Sequence, residues 1–101
     1  MIDELTAQRR GMVLETLRRS AGMPTTGAML SAAVAAFYLG EERELVADLD
    51  YLVRARLIER EERKLRGVVT RLYTLTADGY RVADGAVTDP GVAPPTSIPG
   101  V

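Results

Sequence analysis

Charged side chains carry most of the chemistry available to this 101-residue chain, because it contains neither cysteine nor histidine. Their absence excludes disulfides, thiolate nucleophiles, zinc sites built on cysteine or histidine, and triads with an imidazole base. Paired carboxylates could still act as acid and base, but the acidic residues fall at helix-surface spacing and no glycine-rich phosphate loop is present. The sequence therefore predicts a non-enzymatic protein with no metal, no cofactor and no small-molecule substrate.

Basic residues are concentrated in the segment 59–71, where five cations against three glutamates give a balance of +2. The cations, which are candidates for contact with DNA phosphates, are Arg60, Arg63, Lys64, Arg66 and Arg71. If the segment is a hairpin, alternation confines a uniformly basic surface to its tip, at Arg63, Lys64 and Arg66. Ion pairing between its strands is the competing interpretation.

A second group of arginines lies near the start of the chain, where Arg9, Arg10, Arg18 and Arg19 share one predicted helix. Arg9 and Arg10 are further candidates for DNA contact. The alternative is a solvated helix face on which Glu15 pairs locally with its neighbours.

The segment 41–54 has the opposite character, with two arginines against five carboxylates and a balance of −3. Glutamates in the first turn of a helix stabilise its positive end, but several together are repelled by phosphates. Arg43 and Arg54 remain candidates for DNA contact. Candidates for contact with a protein partner are Glu41, Glu42, Glu44, Asp48 and Tyr51.

Hydrophobic periodicity predicts the elements that position these groups. Helices are predicted at residues 3–20, from Thr25 or Thr26 to about Leu39 with Gly40 as the end, and at residues 42–55. In the third helix, Leu45, Leu49 and Leu52 form the buried face, and in the first Leu5, Val13, Leu14 and Leu17 do so. A two-stranded hairpin with a turn near Gly67 follows, and then a short helix capped by Thr76.

Residues 1–85 are predicted to form one domain and residues 86–101 an extended tail, since the latter contain four prolines and no basic residue. No apolar run is long enough to span a membrane, and the charged first twenty residues do not resemble a signal peptide. We expect a cytoplasmic protein of a bacterial host. Apolar residues such as Met29, Tyr38 and Leu39 exceed what the core needs, which favours a homodimer or another protein partner.

The order of elements is that of the winged helix, a helix-turn-helix variant in which the hairpin is the wing. LVADLDYLVRARLIER resembles the family's leucine-spaced third helix and its "GLI"-type start of the wing, and YTLTADGYRVA resembles its last strand and "LTxxG" helix start. The match is sharper with a small family encoded by Mu-like bacteriophages and prophages near head-morphogenesis genes. QRRGMVLETLRR, ADLDYL and LTADGYRVADGAVTDPGVAPP resemble its arginine-pair first helix, its ADLxWL segment and its ending. The resemblance implies an α+β winged-helix fold and a phage setting.

Two positions depart from the family's pattern. Arg56 stands where the family has glycine, at a helix end that favours the left-handed conformation. The hairpin EREERKLRGVVTR is also longer and more charged than its relatives'.

The resemblance implies that the third helix would enter the major groove and that the wing would meet phosphates or the minor groove. Because the third helix is acidic, we expect a regulator-like protein that binds DNA weakly through wing and first-helix arginines. The alternative is an adaptor in phage assembly or packaging whose acidic third helix and apolar patch face a protein.

Overall fold

The computed structural model of the protein describes residues 3–36 and 42–98. Within these ranges the chain folds into four α-helices and a three-stranded antiparallel sheet, so the predicted α+β class is confirmed. The elements are α1 (Glu4–Arg19), β1 (Thr25–Thr26), α2 (Gly27–Ala35), α3 (Glu42–Arg54), β2 (Ile58–Leu65), β3 (Val68–Leu75) and α4 (Ala77–Ala83), followed by a short 3₁₀ turn (Pro95–Ser97).

Side-chain caps fix where three of the helices begin. The Asp3 carboxylate accepts hydrogen bonds from the amides of Leu5 and Thr6 at the start of α1. Thr26 accepts from Met29 N at the start of α2, and Thr76 accepts from Gly79 N at the start of α4. Both threonine caps were predicted from the sequence, because a hydroxyl before an apolar run satisfies an amide that the helix leaves unpaired. The predicted continuation of α2 to Leu39 and its end at Gly40 lie outside the described residues.

The sheet contains one strand more than predicted. β1 pairs with β3 through Thr25 opposite Tyr73 and Thr26 opposite Leu72, which gives the order β1-β3-β2. Two residues are too few to produce the alternation that identifies a strand in a sequence. β3 is therefore the central strand of the sheet only near its carboxyl end.

Two arginines adopt the left-handed conformation in which glycine is usual. Arg66, with φ of 53°, precedes Gly67, with φ of 81°, and positive values at both positions are typical of a type I′ hairpin turn. Arg56, with φ of 61°, follows α3. There the amides of Arg56 and Leu57 donate to the carbonyls of Val53 and Leu52, which is the Schellman arrangement. Arg56 therefore adopts the left-handed conformation in which a helix end usually has glycine.

The core lies between α1, α2, α3 and the base of the sheet. Its largest fully buried apolar side chains are Val13, Leu14 and Leu17 of α1, Leu30 of α2, Leu52 of α3 and Ile58 of β2. Leu45 and Leu49 are also buried, so the predicted inner face of α3 is confirmed. Leu5 was predicted to join the core but is half exposed, because it lies in the first turn of α1, where little packs over it.

The carboxyl-terminal segment, which was predicted to be an extended tail, packs against the domain. Val92, Ala93 and Ile98 belong to the hydrophobic core. Ala93 N donates to Ala7 O at 3.0 Å, and Gln8 Nε2 donates to Ser97 O at 3.0 Å. The prolines disfavour α-helix and β-strand in this segment but do not prevent burial of its apolar side chains. No helix within the described ranges is long and apolar enough to cross a lipid bilayer.

Candidate nucleic-acid interface

β2 and β3 form a two-stranded ribbon that extends beyond the third strand. β1 pairs with β3 only as far as Leu72. The four outer pairs of β2 and β3, from Glu62 opposite Arg71 to Leu65 opposite Val68, therefore have no third strand beside them in the described part of the chain. At roughly 3.4 Å per residue these four pairs extend about 14 Å, and the turn adds to that length. The ribbon therefore carries its end well clear of the helices. We call residues 64–69, at that end, the hairpin tip.

Most cations of the hairpin are paired with carboxylates, but only Arg71 with Glu62 forms the pairing between strands that the ion-pairing interpretation expects. Arg63 Nη2 lies 2.8 Å from Glu61 Oε1 on the same strand, and Arg71 Nε lies 3.4 Å from Glu62 Oε1 on the facing strand. Both pairs are about half exposed, so each contributes little to stability but lowers the local positive charge. Lys64 and Arg66 have no carboxylate partner in the described ranges.

Arg60 joins the hairpin to α3 and cannot reach a nucleic acid freely. Its Nη2 donates to Asp50 Oδ1 at 2.5 Å, and its guanidinium lies 5.6 Å from the centre of the Tyr73 ring. Because side chains alternate along a strand, Lys64 and Arg71 lie on the same face of the hairpin as Arg60. The hairpin face that contacts α3 thus also carries Lys64 of the tip.

Arg9 and Arg10 are internal, which corrects their assignment to a DNA-binding or solvated face. Asp48 is 1% exposed and accepts hydrogen bonds from Arg9 Nε and, at 3.0 Å, from Arg10 Nε. Arg9 Nη1 also lies 3.3 Å from Glu44 Oε2. The hydrogen bond that Arg9 donates to Asp48 raises the pKa of Arg9 above its ordinary value despite its burial. Asp48, predicted to be exposed for a partner, instead joins α3 to α1.

The other two arginines of α1 pair with Glu15, as the local-pairing alternative expects. Arg18 Nη2 and Arg19 Nε lie 2.6 and 3.0 Å from Glu15 Oε1. The side chain of Glu15 is only 4% exposed, which the sequence did not indicate. The hydrogen bond from Arg18 is the main reason that the pKa of Glu15 lies below its ordinary value.

Tyr51 also has an internal partner rather than an open surface. Its hydroxyl donates to Asp89 Oδ1 at 2.5 Å, and the guanidinium of Arg10 lies 3.9 Å from the centre of its ring. Arg10 Nη1 donates further to the carbonyl of Gly91 at 3.4 Å. Burial, followed by the bond to Asp89, raises the pKa of Tyr51. These contacts fasten the carboxyl-terminal segment to α1 and α3.

The acidic surface predicted for the third helix is largely neutralised within the molecule. Of the four carboxylates in Glu42–Arg54, three bind arginines of other elements: Glu44 binds Arg9, Asp48 binds Arg9 and Arg10, and Asp50 binds Arg60. Glu42, Arg43 and Arg54 are exposed on the helix. Glu41, a candidate for partner contact, lies outside the described residues. The outward face of α3 is therefore much less acidic than the balance of −3 indicates.

The tip also contains exposed apolar side chains, which were not among the residues predicted to contact a partner. Leu65, Val68 and Val69 are 46%, 64% and 58% exposed. A sequence signal was present, since LRGVV sets aliphatic residues on both sides of a turn where polar residues are usual.

A groove of about 520 Å³ opens between the start of α2, α3 and β3. Leu45, Leu49 and Tyr73 are among its apolar lining residues, and Glu42 and Arg71 are among its polar ones. Among the described residues no cluster of carboxylates is arranged to hold a metal ion. Comparison of the chain with protein-family models and with curated proteins finds no match.

Proposed function

We propose that this protein is a winged-helix protein of a phage or prophage that binds duplex DNA without catalysing a reaction. The fold supports this proposal through the order α1-β1-α2-α3-β2-β3-α4, with a short β1 paired to β3. In this arrangement α3 occupies the place of a recognition helix and the β2–β3 hairpin that of the wing. The sequence resemblance to the Mu-like phage family supports the setting and a regulator-like role in the bacterial cytoplasm.

The observation that carries DNA binding is the sorting of charge along the hairpin. Cations near its base are paired with carboxylates, whereas Lys64 and Arg66 at its tip have none among the described residues. Unpaired cations are the groups that gain most from replacing counterions around a phosphate backbone. Neutralisation of α3 by internal arginines also removes much of the repulsion that the sequence led us to expect.

Binding should be weak and should depend little on sequence. Lys64 and Arg66, with Arg54 at the end of α3, offer about two or three phosphate contacts, which corresponds to a salt slope of roughly −2 to −3. The described part of α3 offers few base-reading side chains: besides the charged Glu42, Arg43 and Arg54, its outward positions include Val46 and Ala47.

A salt series tests the proposal. Binding to a random duplex of about 30 base pairs would be followed by fluorescence anisotropy between about 50 and 200 mM salt. In Lys64→Gln/Arg66→Gln the slope should fall by about 2, since two phosphate contacts are lost. Arg81→Gln is the matched control, because Arg81 is an exposed α4 cation paired with Asp78. No binding by the wild type at the lowest salt, or an equal slope in the tip variant, would contradict the proposal.

A second function, that of an adaptor in phage assembly or packaging, is favoured by the groove beside α3. Its apolar lining, together with Val46 at 44% exposure, offers a surface for a protein side chain. The acidic residues no longer support it, because Glu44 and Asp48 bind arginines inside the molecule. Binding to a product of neighbouring head-morphogenesis genes would establish this function instead. That binding should be abolished by Val46→Glu and preserved in Lys64→Gln/Arg66→Gln.

A further inference from the structure

The hairpin tip combines exposed aliphatic side chains with unpaired cations. Leu65, Val68 and Val69 are each at least 46% exposed, although they occupy the last two pairs of the ribbon. Lys64 precedes this group and Arg66 lies within the turn. A contiguous group of aliphatic side chains held in water away from the core points to burial against a partner.

The apolar side chains lie on both faces of the ribbon. Leu65 and Val68 are opposite each other and share one face, while Val69 is opposite Lys64 and lies on the other face. A flat partner surface would cover only one of these faces. A cleft that admits the end of the ribbon would cover both at once.

The charges indicate that the walls of such a cleft are anionic. Below the tip, Glu61 and Glu62 neutralise Arg63 and Arg71, so positive charge is concentrated in the last few residues. The minor groove of DNA is a cleft bordered by two phosphate backbones, and its floor is formed by the edges of stacked bases, whose apolar faces are exposed when the bases unstack. Lys64 and Arg66 can meet the phosphates while the aliphatic side chains meet the bases.

Resting on the proposed DNA binding, we infer that the hairpin tip is an apolar wedge that enters the minor groove and selects distorted DNA. A groove about 6 Å wide is narrower than a two-stranded ribbon with its side chains, so entry requires the groove to widen. Aliphatic wedges achieve this by separating stacked base pairs and kinking the duplex, at a cost of unstacking. At a mismatch or a bulge the bases are already partly unstacked, so much of the free energy of unstacking is not required. Such DNA is therefore the preferred ligand.

The experiment compares two duplexes of equal length and charge, one fully paired and one with a central mismatched segment. The wild type should bind the mismatched duplex on the order of tenfold more tightly, because unstacking is already achieved. The variant Leu65→Thr/Val68→Thr/Val69→Thr removes the wedge but keeps both cations and strand-forming residues. It should bind both duplexes equally, with an affinity for the paired duplex close to that of the wild type.

The outcomes separate this inference from DNA binding itself. Equal binding of both duplexes by the wild type, or an unchanged preference in the threonine variant, overturns the wedge and leaves phosphate binding standing. Loss of the preference together with retained duplex binding supports it. Absence of binding to either duplex overturns both proposals. Sedimentation of both proteins without DNA gives an independent outcome. If the wild type is a dimer, the threonine variant is a monomer and neither prefers mismatched DNA, the tip contacts a second copy of the chain.

Discussion

Replacement of Asp48 by asparagine should destabilise the domain strongly, because it removes the negative charge from a buried pair of cations. The side chains of Asp48 and Arg9 are 1% and 8% exposed, so neither charge is solvated by water. Breaking a buried pair by removing one partner costs about 3–5 kcal/mol. For a chain of this length that corresponds to a fall in Tm of roughly 14–24 °C. Urea denaturation followed by circular dichroism would measure the change in the free energy of unfolding.

Controls distinguish burial of this network from an ordinary surface contact. Arg81→Ala removes an ion pair whose two side chains are more than 60% exposed, and it should change stability by less than about 1 kcal/mol. Arg9→Met/Arg10→Met/Asp48→Leu replaces all three buried charges with apolar groups and should recover part of the loss. A loss below about 1 kcal/mol for Asp48→Asn would refute the buried network. If the salt dependence of DNA binding changes in a folded Arg9→Met variant, Arg9 contacts DNA and its assignment to the interior is wrong.

Three further changes test the remaining contacts. Because its pKa is lowered in the folded state, Glu15 stabilises the domain above its unfolded pKa, and this contribution is lost as the pH falls through the folded value. The difference in urea midpoint between wild type and Glu15→Gln should therefore be full at neutral pH and vanish in acid; a constant difference would contradict the pairing with Arg18. Tyr51→Phe should cost about 1.5–3 kcal/mol, since it leaves Asp89 without its hydroxyl donor, and should speed hydrogen exchange in the carboxyl-terminal segment. Arg56→Gly should stabilise the protein by about 0.5–1 kcal/mol by relieving the left-handed strain, partly offset by glycine's greater freedom when unfolded; a lower Tm would refute this.

Local patterns predicted the local structure well. The spacing of Leu45, Leu49 and Leu52 gave the buried face of α3, and Thr76 and Gly67 gave a helix start and a turn. Each of these depends on residues within one or two turns of chain. β1 was not predicted, because its two residues form a strand only through pairing with β3, about 47 positions away.

The candidate site was predicted less completely, because the partners in its ion pairs lie far apart in the sequence. Arg9 and Asp48 are 39 positions apart, and no local rule pairs them. A signal was nevertheless present in the helical periodicity. Arg9 lies four residues before Val13 on the inner face of α1, and Asp48 lies three residues after Leu45 on that of α3. Two opposite charges at inward positions of neighbouring helices indicate a buried pair, whereas the balance of charge along a segment does not reveal it.

The acidity of the third helix has its explanation within the molecule. Its carboxylates looked suited to a basic partner, and the structure supplies that partner as arginines of α1 and β2. Arg10 extends the same network to Tyr51 and Gly91, so these charges also hold the carboxyl-terminal segment in place. Once they are neutralised, α3 neither repels a polyanion strongly nor attracts a basic protein. If the protein binds DNA as proposed, binding therefore depends mainly on the hairpin tip, whose cations and aliphatic groups have no internal partners in the described chain.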